Sequence, residues 1–590
     1  MTTTAETGAE GVRWDLSLLA PGEEAMKDRL EGAVAEAAAF VERWPADALA
    51  TIDSAQLATL LGELAALRAA RKEGEDWAMM LTWTDSENPA VLDVQAWVND
   101  RLPLLDEALR HFELAWLSVP EERTAVLAQD DAVAGERHYL DSLRRFGPFM
   151  LSPAEERVLS ARDASATAAW KTLRDRTLGA LATTFDDGTG EREWPLSDLE
   201  AARRAHPDRD VRRRAQLATN ELVEPVFPVL AHCYDSLVAD RLAVDRLRGH
   251  ADPMEPTNLV NEIDGSVVEG LLSAAEAHAA VGQRWFRAKA ELLGLEELDV
   301  IDFQASALDA PLLSWDDAHR LVVDMFAGLT PRLGDEAEAF FAGRRIDAEP
   351  RRGKPNAAFC LWPSTRVPGF VFLNWHGQLR DLLALVHELG HGTHFGLATQ
   401  AQSDNSFMPG LTVAEIPSTF AELRLVDHVL ATDEDLGRVL LTRELDQAVG
   451  VGFLATAFVR FEQRAYGLRA EGQALNPERL CELTETAAAT VWGDAMTDKY
   501  GNSRLFWASM PHFVHERFYT YAYTFAFLLA AGLLARSHHP GFPERYERFL
   551  AAGGNASPEE LMAILEVDLR DPEIWNDGFS VMDGWIDRIG

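Results

Sequence analysis

The sequence predicts a mainly α-helical protein of two or more lobes with a small β-hairpin, and three observations lead there. Ala-, Leu- and Glu-rich segments with apolar residues three to four apart occupy residues 23 to 120, 155 to 182, 210 to 245, 265 to 293 and 435 to 470. A length of 590 residues with 47% hydrophobic content supplies more than one core. Only Ala357 to Trp362 and Phe370 to Trp375, on either side of Pro363 to Gly369, combine aromatic and β-branched residues at strand length, and they read as a hairpin.

Taken from the start, Met1 to Gly11 is polar and acidic and has neither the basic segment nor the apolar stretch of a signal peptide. The loop-forming runs Asp186-Asp187-Gly188-Thr189-Gly190 and His206-Pro207-Asp208 mark a change of architecture between about 185 and 210. We place a boundary there, between an N-terminal helical region, 1–200, and a second region, 201–590. The longest apolar run, Tyr521 to Ala535, is too short to cross a bilayer and predicts a buried core helix. No internal repeat is evident.

Asp and Glu number 95 against 55 Lys and Arg, a formal charge of -40 that repels nucleic-acid phosphates and anionic membrane surfaces. Neither nucleic acid nor membrane is an expected partner. Cys233, Cys360 and Cys481 are scattered and form no C-x-x-C pair, so neither a disulfide framework nor a thiolate metal site is indicated, which suits a reducing cytoplasm.

Residues 387 to 391 read His-Glu-Leu-Gly-His. On a helix, positions four apart share a face, so His387 and His391 can offer their imidazoles to one ion, half of a tetrahedral zinc site. Glu388 would then face a water on the open position and take its proton, which is the arrangement for metal-assisted peptide-bond hydrolysis. Leu382, Leu385, Val386 and Leu389 form an apolar stripe that leaves the histidine face free. Gly377 before the motif and Gly392 and Gly396 after it read as the limits of the helix.

A third ligand is needed. His394 lies seven positions after His387, about 10 Å along the helix, too far to share the ion. Position 397, ten after the first histidine, is Leu and offers no ligand. Among the downstream acids Asp404, Glu415, Glu422 and Asp427, Glu415 is the choice. It precedes Ile416-Pro417-Ser418, where proline suits the first turn of a new helix, and Glu422 follows two turns later on the same face. One of the pair would bind a single zinc ion per chain, and the other would accept an imidazole N–H.

Attack on a carbonyl also needs donors for the oxyanion, and residues 511 to 523 supply them. Tyr519 and Tyr523 are one helical turn apart, with Tyr521 pointing away; if the helix reaches back to Pro511, His512 joins their face.

With these residues in view, the chain resembles the thimet-oligopeptidase-like zinc metallopeptidases, most closely their oligoendopeptidase F branch. The resemblance rests on His387-Glu388-Leu389-Gly390-His391, Phe372 to Asp381, Glu415-Ile416-Pro417-Ser418 with Glu422, and Pro511-His512-Phe513 with its tyrosines. Trp14 to Leu19 and His138 to Leu178 look like that branch too. It implies two helical lobes around a deep substrate channel with zinc at its floor, and a sheet or hairpin beside the zinc-binding helix. It also implies a branch-specific N-terminal domain at about 115–185 and a catalytic domain over 201–590. His387, His391 and Glu415 match its metal ligands, Glu388 its general base, and His512 with Tyr523 or Tyr519 its carbonyl donors. Trp375-His376 departs from what relatives often carry and could alter side-chain preference.

The resemblance implies a cytoplasmic endopeptidase for short unstructured oligopeptides. A carboxypeptidase or dipeptidyl carboxypeptidase could use the same site, and a peptide-binding protein that holds zinc without turnover is the reading from another class.

Overall fold

Helices form where apolar residues recur every three to four positions, and their ends carry the polar side chains that helix termini require. In this computed structural model, which describes residues 8–589, the first periodic segment folds as Glu23–Arg43, Ser54–Thr84 and Leu102–Ser118 among others. Later segments give Arg209–Val223, Phe227–Arg248, Glu434–Val449 and Ala455–Ala470. Asp53 accepts the Gln56 amide at 2.9 Å while the Gln56 side chain accepts the Asp53 amide at 3.0 Å, a reciprocal cap that starts the long second helix. Residues 1–7, most of the polar start noted in the sequence, lie outside the described residues.

Strands are short. The hairpin β1 (Ala182–Asp186) and β2 (Glu191–Pro195) turns at Gly188 and Gly190, whose φ values of 102° and 123° are open only to glycine. The sequence marked this stretch only as a break, because the strands' largely exposed polar residues show no buried alternation. Next come β3 (Leu298–Asp299), β4 (Ile346–Asp347), β5 (Phe359–Leu361), β6 (Phe370–Phe372) and β7 (Met496–Thr497). β5 and β6 form the expected hairpin, with Cys360 opposite Val371. β4 adds to the other side of β6 in parallel, and β3 pairs with β7. These two-residue strands leave no sequence signal.

Contacts divide the chain into two units. The first comprises Met1–Gly147, Ala310–Val429 and Arg536–Asp568; the second comprises Pro148–Asp309, Leu430–Ala535 and Leu569–Gly590. The first unit has a helical core around Leu57, Leu64, Phe112 and Trp116, and a second cluster where Trp14 and Trp77 pack on Phe370 and Phe372 of β6. In the second unit Phe185 and Trp194 of the β1–β2 hairpin pack on Leu199 and Val211. The run from Tyr521 folds as the expected core helix, Tyr521–Arg536, with Phe525, Leu528 and Leu529 inaccessible to solvent.

Candidate metal centre

The motif lies on the helix Leu379–Ala401 in the first unit. Its start is set by Gly377, at φ 78°, whose carbonyl accepts the Leu313 amide at 2.8 Å; a Cβ there would lie 2.8 Å from the Leu313 oxygen. The Asp381 carboxylate takes the amides of His376 (2.7 Å) and Gln378 (3.1 Å), satisfying donors that the helix leaves open. Leu382, Leu385, Val386 and Leu389 are fully buried and fix the helix's rotation. Trp375, the departure noted above, is core, packed edge-on to Trp315 at 5.3 Å.

The glycines after the motif do not end the helix, as the sequence suggested; it runs through Gly390, Gly392 and Gly396 to Ala401. They mark close approaches. A Cβ on Gly390 would lie 2.6 Å from Ser418 Cα and 2.8 Å from the Pro417 oxygen, and one on Gly392 would lie 2.7 Å from the Phe340 ring. The second helix, Leu411–Thr432, can thus lie directly against the motif. Pro417 is inside that helix rather than in its first turn, which removes one ladder bond at the point of contact.

This contact brings three ligands together. Glu415 Oε2 is 3.4 Å from His387 Nε2 and 3.6 Å from His391 Nε2. Among the described residues these three side chains are the group whose donor atoms all fall within 4.8 Å of one another. Ligands about 2.1 Å from a shared tetrahedral ion lie about 3.4 Å apart, so this spacing fits a divalent cation. Ser418 Oγ donates to Glu415 Oε2 at 3.1 Å. Glu422 takes the Nδ1 hydrogen of His387, which would leave Nε2 as the nitrogen to serve a metal ion.

The electrostatics agree. Burial disfavours charge on His387, yet the Glu422 charge and the hydrogen bonds to Glu415 and Glu422 outweigh it and raise its pKa well above the usual range. A proton there answers the field that a metal cation would answer. Burial lowers His391 to about 4, which keeps it neutral with a lone pair to give. Burial pushes Glu415 upward, but its hydrogen bond to His387 and the charges of His391 and His387 hold it at about 2, as a carboxylate. Glu388 is buried and raised to about 7, mainly by desolvation, while the charge of His387 and, less strongly, a hydrogen bond from the Cys360 backbone act the other way. β5, which carries Cys360, therefore borders Glu388.

The other acids and His394 are occupied elsewhere. Asp404 bonds Thr365, Asp427 pairs with Arg424, and His394 is buried between Phe395 and Phe549 and lowered to about 3 by burial.

In the second unit, the helix carrying the tyrosines does not reach back to Pro511. His512–His515 is a separate short helix, and Tyr521–Arg536 begins after a break. Even so, His512 stacks on Tyr519 (5.6 Å, 10°), Tyr519 meets Tyr523 edge-on (5.3 Å), and His512 Nε2 is 3.1 Å from the Tyr523 hydroxyl. Tyr521 is buried and its hydroxyl accepts from Asn261 at 2.8 Å, so it faces away as expected. Burial lowers the His512 pKa. Within the break, Phe518 has φ 54°, a conformation that costs a non-glycine residue on the order of 1–2 kcal/mol. Its amide donates to the buried Glu462, which sequence reasoning missed because nothing in the string marks either residue.

Compared with known proteins, residues 330–581 match the family described as Peptidase family M3, and residues 116–182 match the one described as Oligopeptidase F. Oligopeptidase PepF of Bacillus subtilis is 25% identical over 453 residues, covering 74% of this chain and 66% of its own. The chromosomal oligoendopeptidase F of Lactococcus lactis subsp. cremoris is 25% identical over 397 residues, 64% of each chain. The chain thus spans just under two thirds of the length of these relatives. In fold it is similar to a crystal structure from Chlamydophila abortus, with TM-score 0.86, 21% identity and 98% of both chains covered. Oligoendopeptidase-F from Enterococcus faecium is similar at TM-score 0.67 and 17% identity, over 96% of this chain and 97% of that one. The mainly α architecture expected from the sequence is the one these structures share.

Proposed function

From the premise that this chain belongs to peptidase family M3, in its oligopeptidase F type, we propose that it is a zinc-dependent endopeptidase acting on short unstructured oligopeptides. The observation that carries the reading is the convergence of His387, His391 and Glu415 beside the buried Glu388.

His387, His391 and Glu415 would hold one zinc ion, which supplies a Lewis acid for the scissile carbonyl and its attacking water. Glu388, poised near neutrality, takes the proton from that water and passes it to the departing amine. Glu422 keeps His387 in the tautomer that presents Nε2. His512, Tyr523 and Tyr519 donate hydrogen bonds to the oxyanion as charge builds on it. In this reading residues 201–590 form the catalytic domain and residues 1–200 an N-terminal region specific to the branch. The three free cysteines and the charge of -40 support a cytoplasmic enzyme whose partners are peptides rather than nucleic acid or membrane.

The test is product mapping by mass spectrometry on peptides blocked at both termini, with metal-depleted and zinc-restored protein. Internal cuts that vanish with the metal and return with zinc are expected. Cleavage only of peptides with a free terminus would make it a terminus-dependent peptidase, and no zinc uptake would overturn the reading.

A further inference from the structure

On a continuous helix Tyr523 would lie eleven residues, about 16 Å, beyond His512, and their side chains could not meet. They meet at 3.1 Å because the backbone reverses between the short helix His512–His515 and the start of Tyr521–Arg536, and the reversal passes through Phe518 at φ 54°. Glycine would adopt this conformation freely; a buried phenylalanine holds it only where the surroundings over-determine it.

The surroundings do. The Phe518 amide donates to Glu462 Oε2 at 2.9 Å, and its ring packs on Tyr466 at 4.8 Å. On either side, Arg517 makes a two-point pair with Asp245 (2.6 and 2.8 Å), and Thr520 Oγ1 donates to the Ala455 carbonyl at 3.1 Å. One turn on, Thr524 Oγ1 donates to the Val451 carbonyl at 2.7 Å, within the widened π-turn Gly450–Leu454. Arg241 anchors the preceding short helix, bonding the carbonyls of Phe513 and Val514.

Glu462 is the unusual member. It is inaccessible to solvent, its other oxygen has no hydrogen-bond partner, and burial raises its carboxyl to about 8 despite the charges of Arg241 and Arg517. A core built for stability alone would favour an apolar residue here. We infer that Glu462 is a positioning residue for the carbonyl donors: by holding the Phe518 amide it fixes the backbone reversal that sets Tyr519 and Tyr523 against His512. The inference rests on the proposed peptidase reading for what the donors do, and on geometry alone for how they are held.

Glu462→Met removes the acceptor, whereas Glu462→Gln keeps a carbonyl oxygen for the amide. Two readouts apply to the full-length zinc-loaded protein: amide hydrogen exchange across 516–523, and steady-state cleavage of a doubly blocked peptide. In Glu462→Met, exchange of these amides should rise roughly tenfold or more and kcat should fall about tenfold, with KM changed less than about twofold. Glu462→Gln should stay within about threefold of the parent in both. Thr520→Val, which loses the bond to Ala455, should shift both readouts in the same direction by less, and serves if the methionine variant does not fold. Unchanged exchange at 516–523, or unchanged kcat in the methionine variant, overturns the inference. If the parent protein itself cleaves no peptide, the proposed function fails, while the exchange result still decides whether Glu462 holds the segment.

Discussion

Glu422 accepts the Nδ1 hydrogen of His387 across the contact between two helices, and so determines which nitrogen of that ring faces Glu415. Replacing Glu422 by Ala frees the ring to rotate and removes a negative charge near the site. Zinc affinity, measured by competition with a chromophoric chelator, should fall about 10- to 100-fold. Parent-like affinity would show that the orientation of His387 has another origin.

Gly390 marks the place where the two helix backbones touch. Gly390→Ala should destabilise the protein by about 1–3 kcal/mol and weaken zinc binding, because backbone atoms and not a flexible side chain stand in the way. Gly62, on the exposed face of Ser54–Thr84 with open space around it, provides the control: Gly62→Ala should raise stability by about 0.5–1 kcal/mol. Denaturant midpoints measured on both variants check the pair.

Glu388→Gln preserves volume and leaves all three proposed ligands in place. Zinc content by atomic absorption should match the parent, and turnover should drop by about 10²- to 10⁴-fold. A variant that keeps both metal and activity would remove Glu388 from the chemistry.

The tyrosines differ in burial and so should differ in effect. Tyr523→Phe should reduce kcat by about 10²-fold or more with little change in stability. Tyr521→Phe should leave kcat alone and cost about 1 kcal/mol through the lost bond to Asn261. Kinetics and thermal unfolding on the two variants distinguish the roles, and a reversal of the pattern would assign the donor to Tyr521.

Glu462 gives the pH dependence a sign. Its carboxyl is raised to about 8 in the folded state, above its ordinary value when unfolded, so the native chain holds this proton longer. The associated stability is fully present below the unfolded value of about 4.5 and is lost as pH rises toward 8, each pH unit counting for about 1.4 kcal/mol at most. Glu462→Gln should flatten this decline, so the variant should gain on the parent between pH 5 and pH 8 in urea titrations, by up to a few kcal/mol. Parallel curves would mean that the group does not titrate in that window.

What the sequence revealed follows from the range of the forces involved. Helical periodicity and the β5–β6 hairpin are written locally, and so were His387, His391 and Glu388, whose spacing within one helix sets their geometry. Glu415 and Glu422 were legible as a pair two turns apart, although the helix that carries them begins earlier than Pro417 suggested. Gly392 and Gly396 misled, because a glycine in a string signals a break and only the packed neighbours show that it signals contact. The two-residue strands and the reversal at Phe518 left no trace, since long-range packing and one buried carboxylate decide them.

Each of the two units is assembled from three stretches separated along the chain, the last piece of the first unit being Arg536–Asp568 and that of the second Leu569–Gly590. A ribosome therefore releases nearly the entire polypeptide before either unit can be completed, although the early helices already carry one core of their own, from Leu30 to Leu140, within the first stretch. Excising residues 330–581 as a minimal enzyme would strand parts of both cores without their partners, so dissection of this protein should proceed by point substitution rather than truncation.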